Sequence, residues 1–241
     1  MSDWTRKPLC GFDTETTGVD VDVDRIITGA VVHWGGGKPT VPHNWTSDMG
    51  GYEIPAAATA IHGITTEAAR AAGRPAADVI GEIVETLSAY ANQGIPLVVM
   101  NAPFDFTLLE RECERYNIRS LWSRCTPVVL DPRVLDKQVQ PYRPGKRHLG
   151  ALATHWCVKT AGPLHQAETD ARTACGVVHA IARRYPYLAR VGLAELHERQ
   201  AVWARAQTAD LRGYLAKVGA AVDDSPFDWP LAPRPDRAGT T

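Results

Sequence analysis

The stretch Leu9-Cys-Gly-Phe-Asp13-Thr-Glu15-Thr-Thr-Gly18, followed by Ile26-Ile-Thr-Gly-Ala-Val-Val-His-Trp34, sets the fold class. Residues 9–14 form a short apolar segment that runs into a polar, glycine-terminated turn. Residues 26–34 form a second β-type run rich in Ile and Val. Gly35-Gly36-Gly37 reads as a hairpin turn, and a third strand is predicted over 39–45, so a meander of three strands precedes any long helix. The Gly-Gly-Gly-Lys38 stretch is not a phosphate loop, because it lacks the earlier glycine and runs into Pro39 rather than into Ser or Thr and a helix.

The period changes at Pro75. Ile80, Ile83, Val84, Leu87 and Tyr90 fall on one helical face, ended by Asn92-Gln93-Gly94, and residues 95–100 read as a buried strand. Pro103 opens a helix with Phe106, Leu109, Cys113 and Tyr116 on one stripe, and residues 126–130 read as the next strand. Two more helices are expected, over about 148–157 and 167–185. A strand meander followed by alternating strands and helices predicts an α/β domain over 1–187, a mixed sheet flanked by helices. Over 188–220 Leu193, Leu196, Gln200, Trp203, Gln207, Leu211, Tyr214 and Val218 recur at helical spacing. Two glutamines on that stripe favour an added C-terminal helix packed on the parent domain over a dimer seam. The tail, 221–241, holds Pro226, Pro230, Pro233 and Pro235 around Phe227 and Trp229. It is too proline-rich for regular structure, and either lies extended over the domain or carries a partner-binding motif.

Composition narrows the function. The 241 residues are 44% hydrophobic and 22% charged, which excludes collagen, disorder throughout and a small disulfide scaffold. The 26 Lys and Arg against 27 Asp and Glu give a net charge of −1, so any polyanion site must be local. Cys10, Cys113, Cys125, Cys157 and Cys175 are scattered without zinc-knuckle spacing and read as reduced, mostly buried thiols. The start lacks a signal-peptide apolar core and the longest apolar run, 95–100, cannot span a bilayer, so a cytoplasmic protein without a membrane partner is expected.

Three fragments carry chemistry. Asp13 and Glu15 lie two apart on a strand and project from one face. Like charges at ~4 Å repel by about 4 kcal/mol at an effective dielectric of ~20, so such a pair holds either a proton or a cation. The alternative is a frayed strand end with two solvated acids. Asp105 stands in the first turn of the helix that follows Asn101, where the helix dipole alone accounts for an acid. That helix, however, starts at the C-terminal end of a strand, the edge of an α/β sheet where sites form. The third fragment is His165-Gln-Ala-Glu-Thr-Asp170. In a continuous helix His165 and Asp170 sit about 140° apart, since each residue turns ~100°, so they share a target only if His165 lies in the preceding loop. Taken together, four acids and a histidine at three element ends suit two divalent ions, Mg²⁺ or Mn²⁺, that activate a water and stabilise a leaving oxygen, with the imidazole taking the proton.

Phe-Asp13-Thr-Glu15-Thr-Thr-Gly, Asn101-Ala-Pro-Phe-Asp105 and His165-Gln-Ala-Glu-Thr-Asp170, in this order, resemble the motifs of the DnaQ-like 3′-to-5′ exonucleases of the DEDDh type, over residues 8–185. The resemblance implies an RNase H-like fold, two Mg²⁺ or Mn²⁺ ions, and release of nucleoside monophosphates from a 3′ end. Under it Asp13, Glu15, Asp105 and Asp170 are the metal-binding and catalytic acids and His165 the general base. Thr14, Thr16, Ile61, His62, Asn101 and Phe104 would contact the terminal nucleotide. It also implies nucleic-acid partners, single-stranded DNA 3′ ends foremost, and a possible DNA polymerase or replisome partner, although the tail shows no glutamine-led clamp-docking motif. Between Arg133 and His148 five Lys or Arg face one Asp, a net +4 that is either the missing basic patch or a solvated loop.

The pattern has departures. Met100 stands where a histidine is often found, and Thr28 where many members have an acid. Neither removes a catalytic group, and both bear on substrate gripping. Thr16-Thr17-Gly18 resembles the DNA-processing branch, with an exoribonuclease of the same family as the alternative. A haloacid-dehalogenase-type phosphatase with Asp13 as nucleophile wants a second aspartate at position 15, which is Glu. A catalytically silent binding module would use the long C-terminal helix as its working surface.

Overall fold

Side-chain alternation along the first strand organises the molecule. In the computed structural model, which describes residues 3–234, strands β1 (Pro8–Thr16), β2 (Ile26–Gly35) and β3 (Val41–Thr46) form the predicted antiparallel meander. Strands β4 (Leu97–Val98) and β5 (Val129–Leu130) add in parallel, giving a mixed sheet of order β3-β2-β1-β4-β5. The last two strands are shorter than the apolar runs 95–100 and 126–130 predicted. Pairing stops after two residues because helices begin almost at once, with Asn101 turning left-handed at φ 59° and Asp131 capping the next helix.

The helices are α1 (Ala56–His62), α2 (Thr66–Ala72), α3 (Ala76–Asn92), α4 (Ala102–Arg115), α5 (Pro132–Val139), α6 (Leu149–His155), α7 (Ala167–Arg184), α8 (Pro186–Arg190) and α9 (Leu193–Lys217). The long helices α3, α4 and α7 stand where the periodicity places them. The short α1, α2, α5 and α8 were not anticipated, since five to eight residues are too few to establish a 3.6-residue period.

Two cores lie on opposite faces of the sheet. Cys10 and Phe12 pack towards α3 and α4, with the Phe12 and Phe106 rings stacked 5.8 Å apart. Leu9 and Val98 pack towards α6 and α7. Even positions of β1 therefore face α4 and odd positions face α7.

The C-terminal helix packs on the parent domain through its first half. Leu196, Gln200 and Ala204 are buried there, while Leu211, Tyr214 and Val218 are exposed. The described part of the tail contains neither helix nor strand and lies over the domain. Trp229 is buried in the α3–α4 core, and the Ala232 N–H donates to the Thr107 hydroxyl. Pro235 and the residues after it lie outside the described range. All five cysteines are free thiols, with Cys10, Cys113 and Cys175 buried. Among the described residues no helix is long and apolar enough to cross a membrane.

Candidate active site

The acids converge on the end of β1 from both faces of the sheet. Asp13 and Glu15 share the α7-facing side with Leu9 and Gly11. A Cβ at Gly11 would lie 2.5 Å from the Ala171 carbonyl oxygen, so only glycine admits the α7 backbone this closely. That approach brings Asp170, in the first turn of α7, against the strand. One carboxylate oxygen from each of Asp13, Glu15 and Asp170 lies within 4.8 Å of the others.

Asp105 arrives from the opposite face. Thr14 points towards α4, and its N–H and hydroxyl both donate to Asp105 Oδ1, at 3.1 and 2.7 Å. The N–H is available because β4 pairs with β1 only at Cys10 and Gly11, leaving the β1 edge beyond them open. Asp105 thus stands next to the three-acid cluster but outside it, tied to the strand through Thr14.

His165 lies in the loop before α7, as the angular argument required. Its backbone is left-handed at φ 63°, its N–H donates to Asp170 Oδ2 at 3.2 Å, and its side chain is exposed.

Burial pushes Asp13 well above the usual carboxylate range, and the charges of Asp105, Asp170 and Glu15 push it further. Burial raises Glu15 to about 7, with Asp170 and Asp105 adding. Asp105 also rises to about 7 through burial, against the lowering effect of the Thr14 hydrogen bonds. Asp170 is raised by burial, partly offset by His165. Its Oδ1 is buried without a hydrogen-bond partner. A buried, partnerless carboxylate oxygen among repelling acids is costly to a protein alone and fits a divalent cation, and an all-oxygen donor set suits a hard one.

The predicted nucleotide contacts divide. Thr16 spends its hydroxyl on the Gly18 carbonyl at 2.6 Å. Ile61 is 62% exposed at the end of α1. Beside it His62 accepts the Ile64 N–H at Nδ1, while its Nε2 is buried without a partner. Burial lowers the His62 pKa and nearby His165 lowers it further, against the raising effect of the Thr16 backbone. Phe104 is partly buried against the α3–α4 core, and Asn101 Oδ1 accepts from Arg133 at 2.9 Å.

The sequence reading missed Asp131. Its buried carboxylate accepts the N–H groups of Asn101, Ala102 and Arg133 and the Trp229 indole, fixing the start of α4. The Asp131-Pro132 pair, a helix-start signal, could have revealed it. Within the +4 segment Arg143 and Arg147 both pair with the fully buried Asp136, the one acid already counted in that charge.

The model of the exonuclease (RNase T) family matches residues 10–178. The chain belongs to the exonuclease family. Membership argues against the phosphatase alternative. A DNA polymerase III subunit epsilon-like protein of Rhodobacter capsulatus is 39% identical over 103 residues, 42% of this chain and 14% of that protein. Exonuclease I from Methylocaldum szegediense superposes with a TM-score of 0.60 at 20% identity, over 76% of this chain and 42% of its own. Exonuclease X in complex with 5′ overhanging duplex DNA gives 0.57 at 20% identity, over 78% of this chain and 99% of its own. This exonuclease thus has the DnaQ-like, RNase H-like fold, and its match spans only a small part of its curated relative.

Proposed function

We propose that this exonuclease removes nucleotides from DNA 3′ ends as nucleoside 5′-monophosphates, using two Mg²⁺ or Mn²⁺ ions. The carrying observation is the triplet of Asp13, Glu15 and Asp170 oxygens within 4.8 Å of one another, one of them the orphaned Asp170 Oδ1 or its partner on the same carboxylate. Asp13, Glu15 and Asp170 would hold the ions, with Asp105 supporting them directly or through water. When bound, the ions supply Lewis acidity that lowers the pKa of a water and neutralises a leaving oxygen.

The chain's own groups have distinct roles in this reading. His165, exposed on its loop and anchored to Asp170 through its N–H, takes the proton from the attacking water. Thr14 keeps Asp105 oriented, and Asp131 holds the α4 start in place. In the same reading Ile61, exposed, and His62, half-buried, would contact the terminal nucleotide. DNA as substrate is supported by the solved neighbours, which include Escherichia coli exonuclease I with a dT13 oligonucleotide and exonuclease X with duplex DNA. The epsilon-like relative makes a replicative polymerase a reasonable partner to test, and a cytoplasmic address goes with such a role.

Digesting 5′-labelled DNA and RNA of one sequence in parallel with Mg²⁺ tests the reading, using single-stranded, blunt and 3′-recessed ends. Stepwise shortening of DNA from the 3′ end, abolished in Asp13→Ala, is expected. Faster loss of RNA would make it an exoribonuclease, and inertness on every end with both metals would make it a binding module.

A further inference from the structure

A cleft of about 830 Å³ opens at the start of α4, between α5, the 140–147 loop, α9 and the tail. Asn101 and Pro103, at the start of the helix that carries Asp105, form one of its walls. Its far wall, α9 and the tail, lies beyond residue 178, where the family match ends.

Four cations line it, Arg133, Lys137, Arg143 and Arg147, against one lining carboxylate, Asp131. Asp131 is already saturated by three N–H groups and an indole. Asp136, behind the wall, engages Arg143 and Arg147, and Asp210 acts on Lys137 from α9. Arg133 and Lys137 have no carboxylate within salt-bridge distance among the described residues. Arg133 instead donates to Asn101 and Lys137 to the Gln207 carbonyl. Burial lowers the Lys137 pKa, and the charges of Arg147 and Arg133 lower it further, against Asp210.

Arg143 belongs to the wall itself: its side chain is only 9% exposed and its guanidinium is held by buried Asp136. Aromatic surface is interleaved with these cations. Tyr142 is 96% and Tyr214 61% exposed, both lining the cleft.

We propose that this cleft is a second binding site, for the single-stranded nucleic-acid segment on the 5′ side of the bond being cut. The proposal rests on the exonuclease reading, since a strand whose 3′ end lies at the acids has only its 5′-ward nucleotides left to place. Arg133 and Lys137 meet phosphates, and Tyr142 and Tyr214 stack on bases. Cations with interleaved aromatic faces suit a strand whose bases all present π-surfaces, whereas an acidic peptide would leave the tyrosines unused.

Fluorescence anisotropy with 5′-labelled oligothymidylate and oligouridylate, in EDTA so that the acid cluster holds no ion, tests it. Twelve-nucleotide strands are expected to bind, and Tyr142→Ala or Tyr214→Ala to weaken them about five- to hundredfold. Lys137→Ala should also reduce the salt dependence by about one released ion. Tyr142 is a surface residue whose removal leaves the fold intact, so at least one variant is decisive. Unchanged affinity in the tyrosine variants, or displacement of the strand by polyglutamate of equal charge, overturns the proposal. Release of 3′ nucleotides with Mg²⁺ is scored separately. Wild type and variants that digest and bind all strands alike overturn the cleft alone, while a wild type that binds strands but shortens none overturns the exonuclease reading.

Discussion

The Gln200 side-chain oxygen accepts the Asp131 N–H at 2.8 Å, and its amide nitrogen donates to the Val129 carbonyl at 3.0 Å. With His197 Nδ1 accepting the Val129 N–H at 3.1 Å, α9 satisfies the outer edge of β5 as another strand would. The C-terminal helix is therefore a structural part of the sheet, and it supports the residue that anchors the start of α4.

Replacing Gln200 with Leu leaves two buried main-chain groups unpaired. Each costs about 1–3 kcal/mol, so urea unfolding should show a loss of roughly 2–6 kcal/mol. A loss under about 0.5 kcal/mol would mean that water reaches the β5 edge and that α9 is not needed to close it.

At Gly11 the expected effect is on geometry more than on packing. Gly11→Ala forces α7 outward at Ala171, at a cost of about 1–3 kcal/mol. Because Asp170 moves with α7, the fall in activity should exceed the fall in stability, reaching about a hundredfold for a shift near 1 Å. Thermal melts and nuclease rates on the same preparation compare the two.

Asp13 contributes repulsion as well as function. Asp13→Asn should make the metal-free protein more stable above neutral pH while lowering nuclease activity at least about a thousandfold. A variant that is both less stable and still active would show that the carboxylate is structural.

Glu15 and Asp105 titrate at about 7 in the fold, against ordinary values of 4.5 and 3.8. Between those values the folded protein keeps protons that the unfolded chain has released. The stability of the metal-free form is therefore greatest at the acid end of this window and falls as pH rises to about 7, by at most about 1.4 kcal/mol per pH unit for each group. Mg²⁺ or Mn²⁺ at pH 8 should restore stability, and binding at pH 6, where these carboxyls keep their protons, should release them. A melting temperature indifferent to both pH and metal would refute the linkage.

Residues close in the chain made much of this legible in advance. The meander, the long helices α3, α4 and α7, the shared face of Asp13 and Glu15, and the loop position of His165 all follow from a period of two or 3.6 acting over neighbouring residues. Recognition of three ordered motifs supplied the family. Only the tertiary structure decided that Asp105 reaches the strand through Thr14 from the opposite face, and that Gly11 sets how closely Asp170 approaches. It also assigned Arg143 and Arg147 to Asp136, and gave Gln200 to an edge strand about 70 residues earlier. Those contacts join positions far apart in sequence, where no local period links them and where burial decides which charges and amides find partners.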